Sequence, residues 1–157
     1  MSDRPPVVRP ARPDEAALVS DLALRSKGHW GYDAAFLEAC REELTVSPQW
    51  CEAGTVLVAD DGSVLGFVAI AGEPPDGELA HLFVEPEAMG RGLGGLLTRA
   101  ALDLAADLGM RRLHLDADPH AETFYRRVGA ERVGESPSGS IPGRVLPKMV
   151  LAVPAPG

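Results

Sequence analysis

The stretch that decides the fold runs from residue 79 to residue 95 and reads LAHLFVEPEAMGRGLGG. It joins an apolar, strand-like run to a loop that holds four glycines within six residues. Glycine has no Cβ, so the backbone can turn tightly there and come close to a ligand. Because a helix follows, the loop also presents unpaired amides and the positive end of the helix dipole, which attract anions. The segment therefore predicts a site for a phosphate-bearing ligand.

The helix after the glycines is indicated by one broad apolar face. Its leucines and alanines recur at three- and four-residue intervals from Leu93 to Leu108, as expected of a helix packed on a core. Gly109 is placed to end the helix in a left-handed conformation. A plain core helix with a glycine-rich entry turn is the alternative, but a simple turn needs fewer glycines.

Length and composition predict one soluble domain. The chain has 157 residues, of which 45% are hydrophobic, and its mean hydropathy is −0.02. These values are typical of a single globular domain, expected here over residues 1–157 with a core from about 6 to 153. No apolar run approaches the roughly 18 residues that span a membrane, and the first residues lack the apolar stretch of a signal peptide. A cytoplasmic location is therefore expected.

Charge and residue counts exclude several kinds of site. The net charge of −8 argues against nucleic-acid binding, which needs a basic surface, and it is compatible with a cationic substrate. Cys40 and Cys51 are too few for a disulfide scaffold and too far apart for a CxxC motif. The four histidines have neither HExxH nor paired spacing, so no metal site is expected.

The pattern along the chain predicts a mixed α/β domain in the order β-α-α-β-β-β-α-β-α-β-β. Asp61-Gly62 between two apolar runs indicates a hairpin, and Asp33 and Asp118 are suited to cap helices. Helices are expected from Pro13 to about Lys27, after Asp33, after the glycines, and from Asp118 to Gly129. Strands are expected at residues 7–11, 55–60, 63–70, 79–84, 113–117 and 145–153, with one more before the last.

The glycine loop admits two interpretations. Residues 90–95 match the GxGxxG fingerprint of dinucleotide-binding folds, and Asp116 and Asp118 lie about twenty residues further on, where a ribose-binding acid is expected. However, residues 85–89 separate the first glycine from its strand, a hairpin comes earlier, and only about forty residues remain for a second βαβ half. A GxxxxGK[ST] phosphate loop does not occur. A dinucleotide-dependent oxidoreductase is therefore the less favoured interpretation.

Two motifs support the other interpretation. Residues 84–86 and 91–94, read as V-E-P and R-G-L-G, resemble the V-x-P and R-G-x-G segment of the GNAT superfamily of acyl-CoA N-acyltransferases. Residues 121–130 resemble the A-x-x-F-Y-x-x-x-G-F/A signature of the same family. The order of elements matches too, so the resemblance covers nearly the whole chain. Met89 departs from the family pattern, which has glutamine or arginine at that position.

The resemblance implies an N-acetyltransferase that moves an acetyl group from acetyl-CoA to a primary amine of a small molecule or peptide. The transfer would be direct, in a ternary complex, and would need no metal. The loop amides and Arg91 would hold the pyrophosphate, and backbone amides of the preceding strand would stabilise the oxyanion. The implied cofactor-binding residues are Leu82, Phe83, Val84, Met89, Gly90, Arg91, Gly92, Leu93, Gly94, Gly95 and Phe124.

Candidate catalytic residues follow from the same comparison. Tyr125, four residues before Gly129, stands where the family often has the general acid for the CoA thiolate, and its alternative role is a packed helix aromatic. Glu78 and His81 are candidate bases. His81 has an ordinary pKa suited to proton transfer near neutrality. Each has an equally good structural interpretation, and a water chain is a third route for the proton.

The acceptor site is expected at the loop between the first two helices, with Trp30 and Tyr32 as an aromatic wall. The alternative is that both rings pack on the sheet. Residues 138–144 are interpreted as a surface loop rather than part of the cleft. A covalent cysteine route is disfavoured because neither cysteine is near the glycine loop in sequence. A non-catalytic acyl-CoA sensor is the second candidate function, and similar folds often form homodimers.

Overall fold

The computed structural model describes residues 5–138 and 141–154, through which a seven-stranded sheet runs. The strands are β1 (Val7–Pro10), β2 (Val56–Asp60), β3 (Val64–Glu73), β4 (Asp76–Val84), β5 (Arg112–Asp116), β6 (Glu131–Pro137) and β7 (Val145–Ala152). Their order in the sheet is β1-β2-β3-β4-β5-β7-β6. Among these described strands β4 and β5 form the parallel pair, and the other neighbours are antiparallel.

Five α-helices connect the strands within the described residues. They are α1 (Ala16–Gly28), α2 (Ala34–Cys40), α3 (Pro48–Glu52), α4 (Leu93–Asp107) and α5 (Glu122–Arg127). Short 3-10 turns at Pro13–Glu15, Pro86–Ala88 and Pro119–Ala121 each begin with a proline, whose fixed φ suits the first helical position. Gly109 and Gly129 have φ of 85° and 105°, which suits residues that follow helix ends.

The helices cover opposite faces of the sheet, and each face has its own core. Leu93, Leu97 and Ala101 of α4 pack with Tyr125 of α5 in one cluster. Residues of α1, α2 and α3 form the other cluster, together with Phe67 of β3. Because successive side chains of a strand point to opposite faces, β3 contributes alternate residues to the two cores. The sheet therefore separates α4 and α5 from the first three helices.

The sheet opens between its two parallel strands. Asp76–Glu78 of β4 pair with Arg112–His114 of β5, and in the described residues the pairing ends there. The rest of β4 continues beside β3, while β5 stays paired along its length with β7. Opposite the step from Ala69 to Ile70, β4 carries an extra residue, Ala80, and such a bulge bends and twists a strand. The two strands thus diverge and leave one edge of β4 open.

The predicted mixed α/β class and order of elements are confirmed, including the hairpin at Asp61-Gly62 and the Asp33 cap, which accepts a hydrogen bond from the Phe36 amide. The structure adds α3, a single turn capped by Ser47 that is too short to show an apolar period. It also starts β4 at Asp76 rather than Leu79, because the pairing with β5 draws the first three residues into the strand.

The dinucleotide interpretation of the glycine loop is not supported by this topology. A dinucleotide-binding fold is built on a mostly parallel, doubly wound sheet, whereas the described strands here pair antiparallel except for β4 and β5. Within the described part of the chain, no helix is both long enough and apolar enough to cross a membrane.

Candidate active site

The opening between β4 and β5 leads into a cavity of about 720 Å³. Every cofactor-binding residue predicted from the sequence lines it except Arg91, as do Trp30, His81 and Tyr125. Arg91, Glu78 and Tyr32 are not part of its lining. The cavity is reached from both faces of the sheet, since residues of α1 and the glycine loop before α4 border the same space.

Two glycines of the loop are required by the backbone. Gly90 and Gly92 have φ of 85° and 78°, in the left-handed region that other residues adopt only with strain. Gly92 is the N-cap of α4, and its carbonyl accepts the Leu96 amide at 3.1 Å. No side chain of the described residues caps this helix end. The amides of Leu93, Gly94 and Gly95, which have no partner inside the helix, remain for an anion.

The other two glycines are explained by space rather than by torsion. A Cβ on Gly94 would lie 2.9 Å from ring atoms of Phe124, so this glycine lets α5 pack against the first turn of α4. A Cβ on Gly95 would have no described heavy atom within 4 Å, although the backbone there is helical. Glycine at position 95 therefore keeps open the surface beside the exposed amides.

Arg91 and Met89 flank the amides in different ways. Arg91 lies 3.9 Å from the buried carboxylate of Asp61 in the β2–β3 hairpin, which explains why this side chain is outside the cavity lining. Its charge is still at the loop, as expected from the sequence. Met89 is half-buried and lines the cavity, so an apolar thioether occupies the position where the family pattern has a polar side chain.

The amides of β4 are divided between its two edges. Glu85, just after the strand, donates its amide to the Leu65 carbonyl at 2.8 Å. Successive amides of an extended strand point to opposite edges, so the Phe83 amide also faces β3. The amides of Leu82 and Val84 therefore face the open edge, next to the cavity. Of the three predicted residues, only these two can supply an oxyanion donor, and Phe83 contributes its backbone to the sheet.

Tyr125 is a core residue that also reaches the cavity. It is 6% exposed and packs edge-on against Phe124, with ring centroids 5.2 Å apart. Burial raises the pKa of its phenol above the ordinary value, and the nearby Asp118 carboxylate adds to the effect. The phenol is therefore protonated at neutral pH. Among the described residues none hydrogen-bonds its hydroxyl, which leaves that group for a ligand in the cavity.

The two candidate bases have different surroundings. Glu78 pairs with His114 of β5, at the point where the opening between β4 and β5 begins. Its side chain is exposed and does not line the cavity. His81 is 8% exposed and lies among the rings of Trp50, Phe67 and Phe83. Burial lowers the pKa of His81 to about 4, against a smaller opposing effect of Glu43. The imidazole is therefore neutral at pH 7, and its pKa is not the near-neutral value expected from the sequence.

Trp30 and Tyr32 each stack on an aromatic ring outside the strands. Trp30 is 46% exposed and stacks on His120, with ring centroids 5.1 Å apart and an interplanar angle of 3°. The Tyr32 ring stacks on Phe36 at 4.1 Å. Its hydroxyl lies 3.1 Å from an Asp118 oxygen and 2.8 Å from Nη2 of Arg144. Tyr32 is thus near the cavity wall without forming its surface.

Four side chains meet at the carboxylate of Asp118, and we call Lys27, Tyr32, Asp118 and Arg144 the Asp118 cluster. Lys27 Nζ lies 3.1 Å and Arg144 Nη2 3.4 Å from the same oxygen, Oδ2. Burial alone would raise the pKa of Asp118, but the His120 amide and Lys27 hold it below its ordinary value. Asp118 is therefore ionised and joins α1, the α1–α2 loop and the β6–β7 loop at one point.

Sequence reasoning missed most of this cluster. Asp118 was predicted as a helix cap and, in the less favoured dinucleotide interpretation, as a ribose-binding acid. It has the first role through its hydrogen bond from the His120 amide at 2.9 Å. Residues 138–144 were expected to form a surface loop, yet Ser138 and Arg144 line the cavity; Gly139 and Ser140 lie outside the described residues. No local signal marks Arg144. Its loop lies next to the end of β5, and this proximity can be recognised only when the order of strands in the sheet is known.

One of the two cysteines lies nearer the cavity than its distance from the glycine loop in sequence indicated. Cys40, at the end of α2, is buried and lines the cavity, so distance along the chain did not predict its location. Cys51 is buried on α3, and burial raises the pKa of its thiol. Among the described residues, no group of three or more histidine, cysteine, aspartate or glutamate side chains is arranged to hold a metal ion.

Known proteins share both the sequence pattern and the fold of this chain. The model of the Acetyltransferase (GNAT) family matches residues 24–130, which is more than half of the chain. The chain therefore belongs to the GNAT family of acetyltransferases, as the two motifs indicated. It is an enzyme of the acyltransferase class.

Relatives in the family act on different acceptors. The peptidyl-lysine N-acetyltransferase YjaB of Salmonella typhimurium is 29% identical over 123 residues, 78% of this chain and 77% of its own. A mycothiol acetyltransferase of Kytococcus sedentarius is 39% identical over 101 residues, 58% of this chain. The match covers only 34% of that relative's length.

Solved structures share the fold along almost the whole chain. A GCN5-related N-acetyltransferase of Rhodopseudomonas palustris superposes with a TM-score of 0.76 at 24% identity, covering 97% of this chain and 98% of its own. YncA of Salmonella typhimurium, solved with its cofactor acetyl-CoA, superposes with a TM-score of 0.68 at 20% identity, covering 97% and 96%. At these identities the likeness concerns the fold alone.

Proposed function

We propose that this protein is an N-acetyltransferase that transfers the acetyl group of acetyl-CoA directly to a primary amine of a small molecule or peptide. The observation that carries the proposal is the arrangement along one cavity. An anion-binding helix N-terminus, two backbone amides on an open strand edge and a protonated phenol all border it. These are the groups that thioester aminolysis needs for binding the donor, stabilising the oxyanion and protonating the thiolate.

The loop before α4 fits the pyrophosphate of acetyl-CoA. Gly90, Gly92 and Gly95 each have open space where a Cβ would stand, and the first amides of α4 point out of the helix end. Arg91 adds positive charge beside them, shared with Asp61. When bound, acetyl-CoA supplies the activated acyl group. Neither this binding nor the proposed reaction uses a metal.

The open edge of β4 is the proposed site of oxyanion stabilisation. Leu82 and Val84 present their amides to the cavity, and a preorganised amide donor gains strength where water is excluded. Phe124, half-buried against Gly94, forms the apolar wall between this edge and the glycine loop. Together they would hold the acyl donor extended along β4.

Tyr125 is the proposed general acid. Its raised pKa keeps the phenol protonated over the whole neutral range, so the group can give its proton to the departing thiolate. Its helix begins just after the Asp118 cap, and the side chain is fixed by packing in the core of the α4 face. A buried, positioned donor of this kind is suited to proton transfer in the transition state.

For the amine, we propose that the proton leaves by way of His81 or a water chain. His81 borders the cavity as a neutral imidazole and can accept a hydrogen bond from the amine or from an intervening water. Its low pKa makes it a weak acceptor of a full proton, which favours relay onward to water. Glu78 remains a predicted base from the family resemblance, although its exposed position gives it no direct path.

Acceptor binding is proposed on the α1–α2 face. Trp30, stacked on His120, provides an aromatic wall on that side, and Tyr32 supports the wall from behind through its contact with Asp118. The donor would therefore approach from the α4 face and the amine from the α1–α2 face. This separation is what direct transfer in a ternary complex requires.

Release of free thiol across a panel of amines tests the proposal. The panel holds amino acids, polyamines, aminoglycosides and peptides with free N-termini or lysines, each with acetyl-CoA. We expect acyl transfer to at least one acceptor, with initial rates that fit a sequential rather than a ping-pong pattern. If the protein binds acetyl-CoA tightly but no acceptor raises thiol release above the water control, it is instead an acyl-CoA sensor.

Three features stay predictions from the sequence. We propose one domain with a core from about residue 6 to 153, a cytoplasmic location, and compatibility with a homodimer. Nucleic acid is not expected as a partner because of the net charge of −8, and a membrane is not expected because no apolar run is long enough to span one.

A further inference from the structure

The Asp118 cluster holds more positive than negative charge in a poorly hydrated place. Lys27 and Arg144 both contact one carboxylate oxygen, and the side chains of Lys27, Arg144 and Asp118 are only 12%, 17% and 19% exposed. Asp118 is the one carboxylate among the described residues within ion-pair distance of either cation. Two cations therefore share a single negative charge, although charges away from water are normally paired.

Both cations border the cavity and retain hydrogen-bond capacity. A lysine ammonium has three donors and an arginine guanidinium has five. Within the described residues, Lys27 donates to Asp118, and Arg144 uses its Nη2 toward Tyr32 and Asp118. The remaining N–H groups belong to side chains that line the cavity. They are available to an anionic group bound there.

Aromatic rings hold the two cations in place. The guanidinium carbon of Arg144 lies 4.9 Å from the centre of the Phe36 ring and 5.3 Å from that of Tyr32. Nζ of Lys27 lies 5.6 Å from the Tyr32 ring centre. Such contacts stabilise a desolvated cation without consuming its N–H donors. The cluster is therefore a rigid, preformed cationic corner, which reduces the entropy lost when a ligand binds.

The opposite charge occurs elsewhere on the cavity wall. Glu43, in the segment after α2, lines the cavity and acts electrostatically on His81. A carboxylate beside a neutral imidazole suits an incoming ammonium group. The α1–α2 face thus offers a cationic corner and an acidic corner, which matches a molecule that carries both an ammonium and a carboxylate.

We propose that Lys27 and Arg144 bind a carboxylate of the acceptor, so that the amine acetylated by this protein belongs to an amino acid or a closely related aminocarboxylic acid. The inference deepens the proposed acetyltransferase function and rests on it, because the bound amine is an acceptor only if the protein transfers an acetyl group. Asp118 and Tyr32 are positioning residues, because they hold the two cations at the cavity wall. A phosphate group would satisfy the same donors, so the test separates the two anions.

Matched ligands test the charge requirement. Free amino acids, each paired with its carboxamide, and the aminophosphonic analogue of alanine are titrated into the CoA-saturated protein by calorimetry, and assayed by thiol release with acetyl-CoA. Loss of one charge-assisted contact costs roughly tenfold in affinity. We expect the preferred free acid to bind and react at least about tenfold better than its carboxamide. Equal affinities and rates for the acid and the amide in every pair would overturn the inference. If the phosphonate is preferred over alanine, the group bound by Lys27 and Arg144 is a phosphate rather than a carboxylate.

Charge variants locate the effect. Arg144→Gln and Lys27→Gln should each raise KM for the acid and reduce the acid-to-amide ratio roughly tenfold, with kcat changed far less. Arg144→Lys, which keeps the charge, should retain most of the ratio. Arg41→Gln, in an exposed pair with Glu38, is the matched control and should change nothing. An unchanged ratio in both glutamine variants contradicts the subsite, whereas acid-selective binding that depends on Arg144 without any transfer refutes only the proposed enzyme.

Discussion

At the scale of single residues, the role of Tyr125 depends on one hydroxyl in an otherwise apolar position. The motif indicated the residue, but the sequence could not show that its ring is part of the core of the α4 face. The burial that makes the side chain rigid also raises its pKa. One environment therefore both positions the group and keeps it protonated.

Replacement of this tyrosine should separate chemistry from binding. Tyr125→Phe removes the proton donor and keeps the ring, so we expect kcat to fall about a hundredfold or more, while the Kd for acetyl-CoA stays within about twofold. Steady-state kinetics and calorimetry measure the two quantities. Tyr32→Phe, at the only other tyrosine, is the control and should change the acceptor KM instead. A Tyr125→Phe enzyme with normal kcat would show that another group protonates the thiolate.

The glycine loop allows a prediction in which stability and affinity change in opposite directions. Gly95 is helical and faces open space, so Gly95→Ala should stabilise the free protein by roughly 0.5–1 kcal/mol. The added methyl group stands beside the exposed amides, and we expect it to weaken acetyl-CoA binding roughly ten- to hundredfold. Urea unfolding and calorimetry give the two values.

The control for this loop is Gly134→Ala on β6, where a Cβ also meets no described atom within 4 Å. In the sheet, β6 is separated by β7 and β5 from β4, the strand that precedes the glycine loop. Its acetyl-CoA affinity should equal that of the unmodified protein. If Gly95→Ala binds acetyl-CoA normally, the pyrophosphate does not lie over the first turn of α4.

At the scale of elements, β1 is tied to the turn before α1 by an ion pair whose carboxylate is buried and whose guanidinium is partly exposed. The terminal nitrogens Nη1 and Nη2 of Arg9 each donate to the carboxylate of Glu15 at 2.9 Å, and Nε of Arg9 donates to Asp60 of β2 at 3.1 Å. Arg9 is the main reason that the pKa of Glu15 falls from 4.5 to about 2, against an opposing effect of burial. The edge strand and the first helix are thus joined through one carboxylate.

This ion pair predicts a pH dependence of stability. Because its pKa is lower in the folded state, ionised Glu15 stabilises the protein fully above about pH 4.5, and the contribution is lost as the pH falls toward 2. Glu15→Gln should lower the free energy of unfolding by roughly 3 kcal/mol at pH 7, and the difference should close between pH 4.5 and 2. Urea unfolding across this range measures it. Glu38→Gln, in an exposed pair, should cost less than about 0.5 kcal/mol.

The elements also show where sequence patterns were sufficient. Periodicity and capping residues predicted α4 and the Asp33 cap, because both signals are local and strong. The short α3 and the early start of β4 were missed, since a single turn has no period and since strand pairing with Arg112–His114 is a long-range contact. The Asp118 cluster was missed for the same reason: its members are separated by up to 117 residues in chain numbering, between Lys27 and Arg144.

At the scale of the whole molecule, the proposed function depends on the divergence of β4 and β5. A motif placed the glycine loop at the end of β4, but only the sheet order shows that the strand beside it turns away and that helices from both faces reach the gap. The family resemblance supplied the donor side of the site. The proposed acceptor side lies on the end of α1 and on loops that bear no family motif, which is why its charged residues could not be predicted.

Ligand-linked stability tests the donor at this scale. A ligand at a hundred times its Kd adds about 2.7 kcal/mol to folding stability, which for a chain of this length raises Tm by about 5–10 °C. We expect such a shift with acetyl-CoA and with CoA, and none with NADH at the same concentration. Stabilisation by NADH alone would favour the dinucleotide interpretation of residues 90–95.

The most direct measurement is a crystal structure of the protein with coenzyme A. We expect the pyrophosphate on the amides of Leu93, Gly94 and Gly95, the pantetheine chain along the open edge at Leu82 and Val84, and the sulfur within about 3.5 Å of the Tyr125 hydroxyl. Coenzyme A bound outside the β4–β5 opening, or bound there with its sulfur far from Tyr125, would contradict it.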